Sequence, residues 1–204
     1  MSIRHSLLAL LQESPMYGYQ LRGAFEERTG STWPLNIGQV YTTLDRLERD
    51  GFAAKDGDDG EGHVIYSITQ AGRNEVDQWF QKPVVSSNPP RNELAIKLAL
   101  ALTLDGVDVE SIVQAQRAAS MRTLQTYTRQ RRAAVNPDER DSQDVAWILV
   151  LDSLIFTTEA EVRWLDHCEG WMRKHGGHIT SASAAGAPAR QKSALSNAEH
   201  EVTR

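Results

Sequence analysis

The stretch Asn36-Ile37-Gly38-Gln39-Val40-Tyr41-Thr42-Thr43-Leu44-Asp45-Arg46-Leu47-Glu48-Arg49-Asp50-Gly51 decides how the chain is read. Ile37, Val40, Leu44 and Leu47 recur at steps of three and four, the period of an amphipathic helix. Asn36 is a good cap for its start, and Gly51 a good stop for its end. The opposite face carries Gln39, Thr42, Thr43, Arg46 and Arg49, side chains able to bond base edges and phosphates.

Downstream of Gly51 the period changes. Residues 52–55 and 63–69 read as two short strands, and the Gly/Asp-rich 56–62 between them reads as a hairpin loop. Thr69 then caps a helix with Ala71, Val76, Trp79 and Phe80 as its apolar residues. Upstream, Ile3, Leu7, Leu8, Leu10 and Leu11 predict a buried helix over 2–14, ended by Pro15. Tyr17, Leu21 and Phe25 mark a second helix that runs to Gly30. Three helices, a two-stranded hairpin and a further helix, in that order, predict a winged helix-turn-helix over 1–82, with its third helix suited to the DNA major groove.

The Pro/Ser-rich residues 83–92 read as a linker. Beyond it the text is helical over 93–104, 109–135 and 143–174. The last helix has one stripe of Trp147, Leu151, Leu154, Val162 and Leu165, and a second of Val145, Ile148, Leu149, Ile155 and Phe156. A helix apolar on two sides predicts burial between subunits, with Trp147, Leu151, Leu154, Ile155, Val162 and Leu165 as dimerisation residues. The expected fold is therefore mainly α: a winged helix-turn-helix domain with a two-stranded wing, then an α-helical dimerisation domain over 93–175 that is also the candidate effector-binding region. Residues 176–204, rich in Gly, Ala, Ser and charge, read as a disordered tail.

Composition narrows the function classes. The chain has 204 residues, 40% apolar and 24% charged, which excludes a wholly disordered chain. Its one cysteine, Cys168, excludes a disulfide-stapled scaffold and points to a reducing, cytoplasmic setting. The longest apolar stretch, 146–156, is broken by Asp152 and Ser153, too short for a membrane span. The N-terminus lacks the cleavage site of a signal peptide. A net charge of −5 argues against coating nucleic acid by bulk charge, but not against a specific reader with a local basic face.

Several spaced motifs agree with one family. Leu8-Ala9-Leu10-Leu11, Pro15, Gly18-Tyr19-Gln20-Leu21, Trp33, the stretch from Gly38 to Gly51, and Tyr66-Ser67-Ile68-Thr69-Gln70-Ala71-Gly72-Arg73 closely resemble the PadR family of bacterial transcriptional regulators, in register over about residues 2–82. The resemblance implies a homodimeric winged-helix repressor on an inverted-repeat operator, with the helical C-terminal region mediating dimerisation. It also implies release by a small aromatic or lipophilic effector. The long C-terminal region resembles the branch with several C-terminal helices. Tyr41 and Tyr19 fall where the family has its helix Tyr and its Tyr after Gly, and are expected near the DNA backbone. Thr42 stands where members often have Pro, and it offers a hydroxyl to donate to DNA. The wing departs from the family, because Asp56, Asp58, Asp59 and Glu61 replace the usual Arg or Lys and repel phosphate. Residues 1–82 carry eight basic against twelve acidic side chains. Lys55 and His63 are then the only expected wing contacts. The expected DNA-binding set is Tyr19, Asn36, Gln39, Tyr41, Thr42, Thr43, Arg46, Arg49, Lys55 and His63.

Other readings compete. Taken alone, the polar face of the third helix is a solvated surface, and Arg49 has Asp45 four residues earlier as an intrahelical partner. The acidic wing could bind a partner protein in place of DNA. The wing acids begin like a calcium loop, but Ser67 stands where its final acid belongs. The six histidines show no metal-ligand spacing, so no metal or other cofactor is expected. Trp147 and Trp164 are candidate effector contacts, although Trp also anchors interfaces. Cys168 and His167 are adjacent and point apart on a helix. With no phosphate loop, nucleophile elbow or zinc helix in the sequence, the chain does not read as an enzyme.

Overall fold

Where the apolar stripes of the first three helices meet, they close a core that fixes the rest of the N-terminal half. The computed structural model describes residues 3–58, 60–85, 90–134 and 142–182, without the side chains of 142, 143 and 176–182. Helices α1 (Ile3–Leu10), α2 (Gly18–Arg28) and α3 (Ile37–Arg49) precede strands β1 (Ala53–Asp58) and β2 (Val64–Ile68). Helix α4 (Gln70–Gln81) follows, then α5 (Glu93–Ala101), α6 (Val109–Ala134) and α7 (Ser142–Ala182). This is the winged helix-turn-helix with a helical C-terminal region that the order of elements predicts.

Leu7, Leu8, Leu21, Val40, Leu44, Leu47 and Val76 are completely buried in one cluster that joins α1 to α4. Burying such side chains contributes on the order of 1.5–3 kcal/mol each. Helix α1 is shorter than expected and ends at Leu10 in place of residue 14, although Leu11 still bonds back to Leu7. The strands pair antiparallel with Ala53 opposite Ile68 and Lys55 opposite Tyr66, and the register slips between Lys55 and Asp58. That bulge carries β1 three residues further into the wing than the sequence predicts. Met16 exchanges both backbone hydrogen bonds with Tyr66 at 3.0 Å, so β2 is paired on both edges and the wing is tied to the turn after α1.

Thr69 caps α4 by accepting from the Gly72 amide, and Gly72 lies against the Phe52 carbonyl, where a Cβ would overlap the oxygen. The C-terminal half is built on antiparallel α6 and α7. Arg117 pairs with Asp166, Arg131 with Asp152, and Glu161 accepts from Ser120 at 2.5 Å and Gln116 at 3.1 Å. Leu98, Val113 and Leu165 form a second core where α5, α6 and α7 meet. Helix α7 continues to Ala182, seven residues past the point where composition predicts a tail, since extending an existing helix needs no new nucleus. The remainder of that tail, 183–204, lies outside the described residues.

The two stripes of α7 are assigned differently from expectation. Leu151 and Leu165 are fully buried within the chain and leave no surface for a partner subunit. Leu154, Ile155 and Val162 are half-buried. The uncovered stripe is instead Val145, Leu149 and Phe156, the last two 64% and 69% exposed. Trp147 turns inward, and its indole lies against Gly30, at the end of α2, so closely that a Cβ there would overlap the ring. Among the described residues, no helix is long and apolar enough to cross a membrane.

Two glycine substitutions should move stability in opposite directions. Gly72→Ala meets backbone and is expected to lower stability by about 1–3 kcal/mol. Gly23→Ala, in the middle of α2 with nothing near its Cβ, is expected to raise it by about 0.5–1 kcal/mol. Urea unfolding of the two variants beside the parent chain checks both signs.

Candidate nucleic-acid interface

Helix α3 is positioned by its buried side. With Val40, Leu44 and Leu47 in the core, the helical period turns Gln39, Thr42, Arg46 and Arg49 to solvent. The Asn36 side chain accepts from the Gly38 amide at 2.8 Å and fixes where the helix begins. That leaves the Asn36 amide nitrogen free to donate outward.

The turn before α3 is set by one carboxylate. Glu26 accepts from Arg22 Nε at 2.9 Å and from the Leu35 backbone amide at 3.2 Å. The Arg22 hydrogen bond, with the Leu35 amide, holds the Glu26 carboxyl below its usual range despite partial burial. The Arg22 contact is an i,i+4 pair that helix periodicity brings together, whereas the Leu35 contact does not follow from it. For the Leu35 contact, an acid near the C-terminal end of α2, just ahead of the turn, is the only signal the sequence offers.

The expected contact residues divide into those free to bind and those already engaged. Arg46 is exposed and makes no side-chain hydrogen bond or ion pair among the described residues. Gln39 is also exposed, and Tyr19 is 54% exposed. Arg49 leans on Asp50 at 3.5 Å, not on Asp45, and keeps most of its side chain in water. Thr42 and Thr43 donate their hydroxyls to the carbonyls of Gly38 and Gln39 at 2.8 and 2.7 Å. With that hydrogen committed, Thr42 presents acceptor lone pairs and a methyl group, not the donor expected of it.

Three other expectations change. Lys55 is tied to Glu48 of α3 at 2.6 Å, an ion pair that raises its pKa and commits its charge to holding the wing against the helix. His63 stacks on Tyr17 with ring centroids 4.7 Å apart, which joins the far side of the wing to the start of α2. Tyr41 is half-buried with its ring against Gly18, where a Cβ would come within 2.7 Å of it, so its first role is packing. Burial, and then the neighbouring Tyr19 and Tyr17, raise the Tyr41 pKa. In the sequence Tyr17 reads only as part of the α2 stripe, because a stacking partner 46 residues away leaves no local trace. Among the described residues, no cluster of three metal-ligating side chains occurs.

The assembled surface is a cationic and polar helix face, with exposed Tyr19 beside it and a wing whose Asp56, Asp58 and Glu61 all face water. Residues 7–78 match the family model described as Transcriptional regulator PadR-like family, and 90–172 match the model described as Virulence activator alpha C-term. A probable transcriptional regulator of Mycobacterium tuberculosis is 27% identical over 179 residues, covering 81% of this chain and 95% of the relative. The negative transcriptional regulator PadR of Bacillus subtilis is 23% identical over 171 residues, covering 80% and 93%. The crystal structure of that Bacillus protein in complex with operator DNA aligns with a TM-score of 0.66 at 20% identity, over 84% of this chain and 99% of the other. Its complex with p-coumaric acid aligns with a TM-score of 0.67 at the same identity, over 84% and 98%. The likeness in three dimensions establishes the shared fold.

The Glu26 contacts predict a pH dependence. A carboxyl whose folded pKa lies below its ordinary 4.5 adds stability above that pH, and the contribution is lost as pH falls through the folded value. Glu26→Gln keeps an acceptor for Leu35 but loses the charge. The stability gap between parent and variant should therefore be widest near neutrality and shrink below about pH 4.5 in thermal melts.

Proposed function

Because the chain belongs to the PadR family of transcriptional regulators, we propose that it is a homodimeric repressor that reads an inverted-repeat operator through α3. The observation that carries this reading is the division of α3: one side wholly buried, the other bearing Gln39, Thr42, Thr43 and the unpaired Arg46. Arg46 and Gln39 are suited to base edges in the major groove. Tyr19, Asn36 and Arg49 sit at the margins of that face and position the backbone. Lys55, held by Glu48, and His63, stacked on Tyr17, shape the wing without leading the contact. Tyr41 acts through packing on Gly18.

The second copy docks on the uncovered stripe of α7, Val145, Leu149 and Phe156, with the exposed Ile96 and Leu100 of α5 contributing. Two-fold symmetry then places half-sites about one helical turn of DNA, or a multiple of it, apart. A small effector bound to the helical region releases the operator only to the extent that it prefers the non-binding state. The Bacillus relative solved with p-coumaric acid supports an effector of this class. The acidic wing keeps a second reading open, a protein partner bound through Asp56, Asp58 and Glu61, and the two make different predictions.

Fluorescence anisotropy on the DNA upstream of the chain's own gene, against a scrambled duplex, tests operator reading. Thr43→Ala with Arg46→Ala should abolish preference for the cognate duplex, with each lost base contact worth about 1–3 kcal/mol. A wing-bound partner complex would survive the same pair of changes. Light scattering should give twice the 22.7 kDa chain mass, and Leu149→Glu with Phe156→Glu should return it to the monomer value. An unchanged mass would place the interface elsewhere.

A further inference from the structure

The second core is incomplete. Where α5, α6 and the distal half of α7 meet, a cavity of about 300 Å³ opens beside Leu98 and Val113, both of them buried. That volume lies at the lower end of the range that ligand pockets span, room for one flat ring system. Trp164, Cys168 and Met172 line its α7 wall. The indole, thiol and thioether are flat or polarisable surfaces that favour aromatic rings.

Among the described residues, no carboxylate, ammonium or guanidinium lines the cavity, and His167 at its rim is the one ring base. Burial pushes the Cys168 thiol up, so that wall stays uncharged at neutral pH. A carboxylate placed there would be desolvated without a counter-charge, which costs more than the apolar contact returns. Trp171, half in water at the mouth, is held by stacking on His175 at 4.5 Å, so its ring is oriented before anything binds.

We propose that this cavity is a binding site for a neutral, planar aromatic molecule, a class distinct from the anionic phenolic acid named for the Bacillus relative. The site deepens the effector reading given above, and rests on that reading only for its effect on DNA. Trp164 then belongs to the effector site, and Trp147 does not, because it lies on Gly30 at the opposite end of α7.

The test is titration of the full chain with N-phenyl-1-naphthylamine, a neutral fluorophore, and with the sulfonated anilinonaphthalene as its anionic counterpart. The neutral probe should saturate at one per chain, with energy transfer from tryptophan, and the anion should bind at least about tenfold more weakly. Leu102→Trp, at the half-exposed mouth, should weaken the neutral probe about tenfold with the melting temperature kept. Met172→Phe should do the same by filling the wall. Val84→Ser, in the fully exposed segment after α4 and outside the cavity, the α3 face and the α7 stripe, should leave binding unchanged.

Absence of saturable binding overturns the proposal. So does equal binding of both probes, loss of binding in Val84→Ser, or binding that appears only on dilution to monomer, which would show a second copy covering the cavity. Operator anisotropy is measured on the same samples without probe. Its failure would count against the regulator reading, while one-per-chain binding sensitive to Leu102→Trp and Met172→Phe would still stand.

Discussion

Everything about the polar face of α3 depends on the burial of one stripe, Val40, Leu44 and Leu47. A helix rotates 100° per residue, so fixing those three side chains in the core fixes the direction of every other one on α3. A slip by one residue would bring Tyr41 and Asp45 toward the core and strand Leu44 in water. The cost would be several kcal/mol for the displaced leucines alone. The direction of that polar face is thus a by-product of core packing, and its polar residues need contribute nothing to stability. That leaves Gln39 and Arg46 free to be chosen for what they bind.

The turn between α2 and α3 is where the two halves of the chain meet. Glu26 holds the Leu35 amide from inside, and Trp147 presses on Gly30 from α7. Gly30 has a positive φ of 55°, as has Ser31 at 53°, so the backbone there is already in the left-handed region that side chains rarely adopt. A close contact on a backbone of this kind is rigid, because neither the ring nor the turn can yield without moving the helix that follows. Helix α7 therefore touches the segment that sets where α3 begins, and no intermediate element is needed to connect them.

The elements of the N-terminal half were legible because each has a period and a punctuation mark. The α3 stripe, the Asn36 and Thr69 caps and the Gly51 stop are local signals, and each lies where the sequence put it. The strand ends were less legible, since the bulge after Lys55 depends on its partner strand. Side-chain engagement was hardest to see. Lys55 looks like a free cation until Glu48 folds against it, and Tyr41 looks like a surface hydroxyl until Gly18 passes beneath its ring. The same applies to α7. Two apolar stripes are plain in the sequence, but only the position of α6 decides that Leu151 and Leu165 go inside and Leu149 and Phe156 stay out. Periodicity reports that a face is apolar, and not what covers it.

Helix α7 carries Trp147 at one end and Trp171 at the other without a break in its hydrogen bonding. The separation is about 36 Å at 1.5 Å per residue. Such a helix behaves as a ruler with a phase. Deleting one residue between the two indoles shortens it by only about 1.5 Å but rotates one end about 100° against the other. Trp147 would leave Gly30, or Trp171 would leave the cavity mouth. Divergence in this segment is therefore confined to substitution, because even a whole inserted heptad, which restores the phase to within about 20°, adds about 10.5 Å of length. Among descendants of this chain, the length between those two tryptophans should drift far less than the residues that fill it.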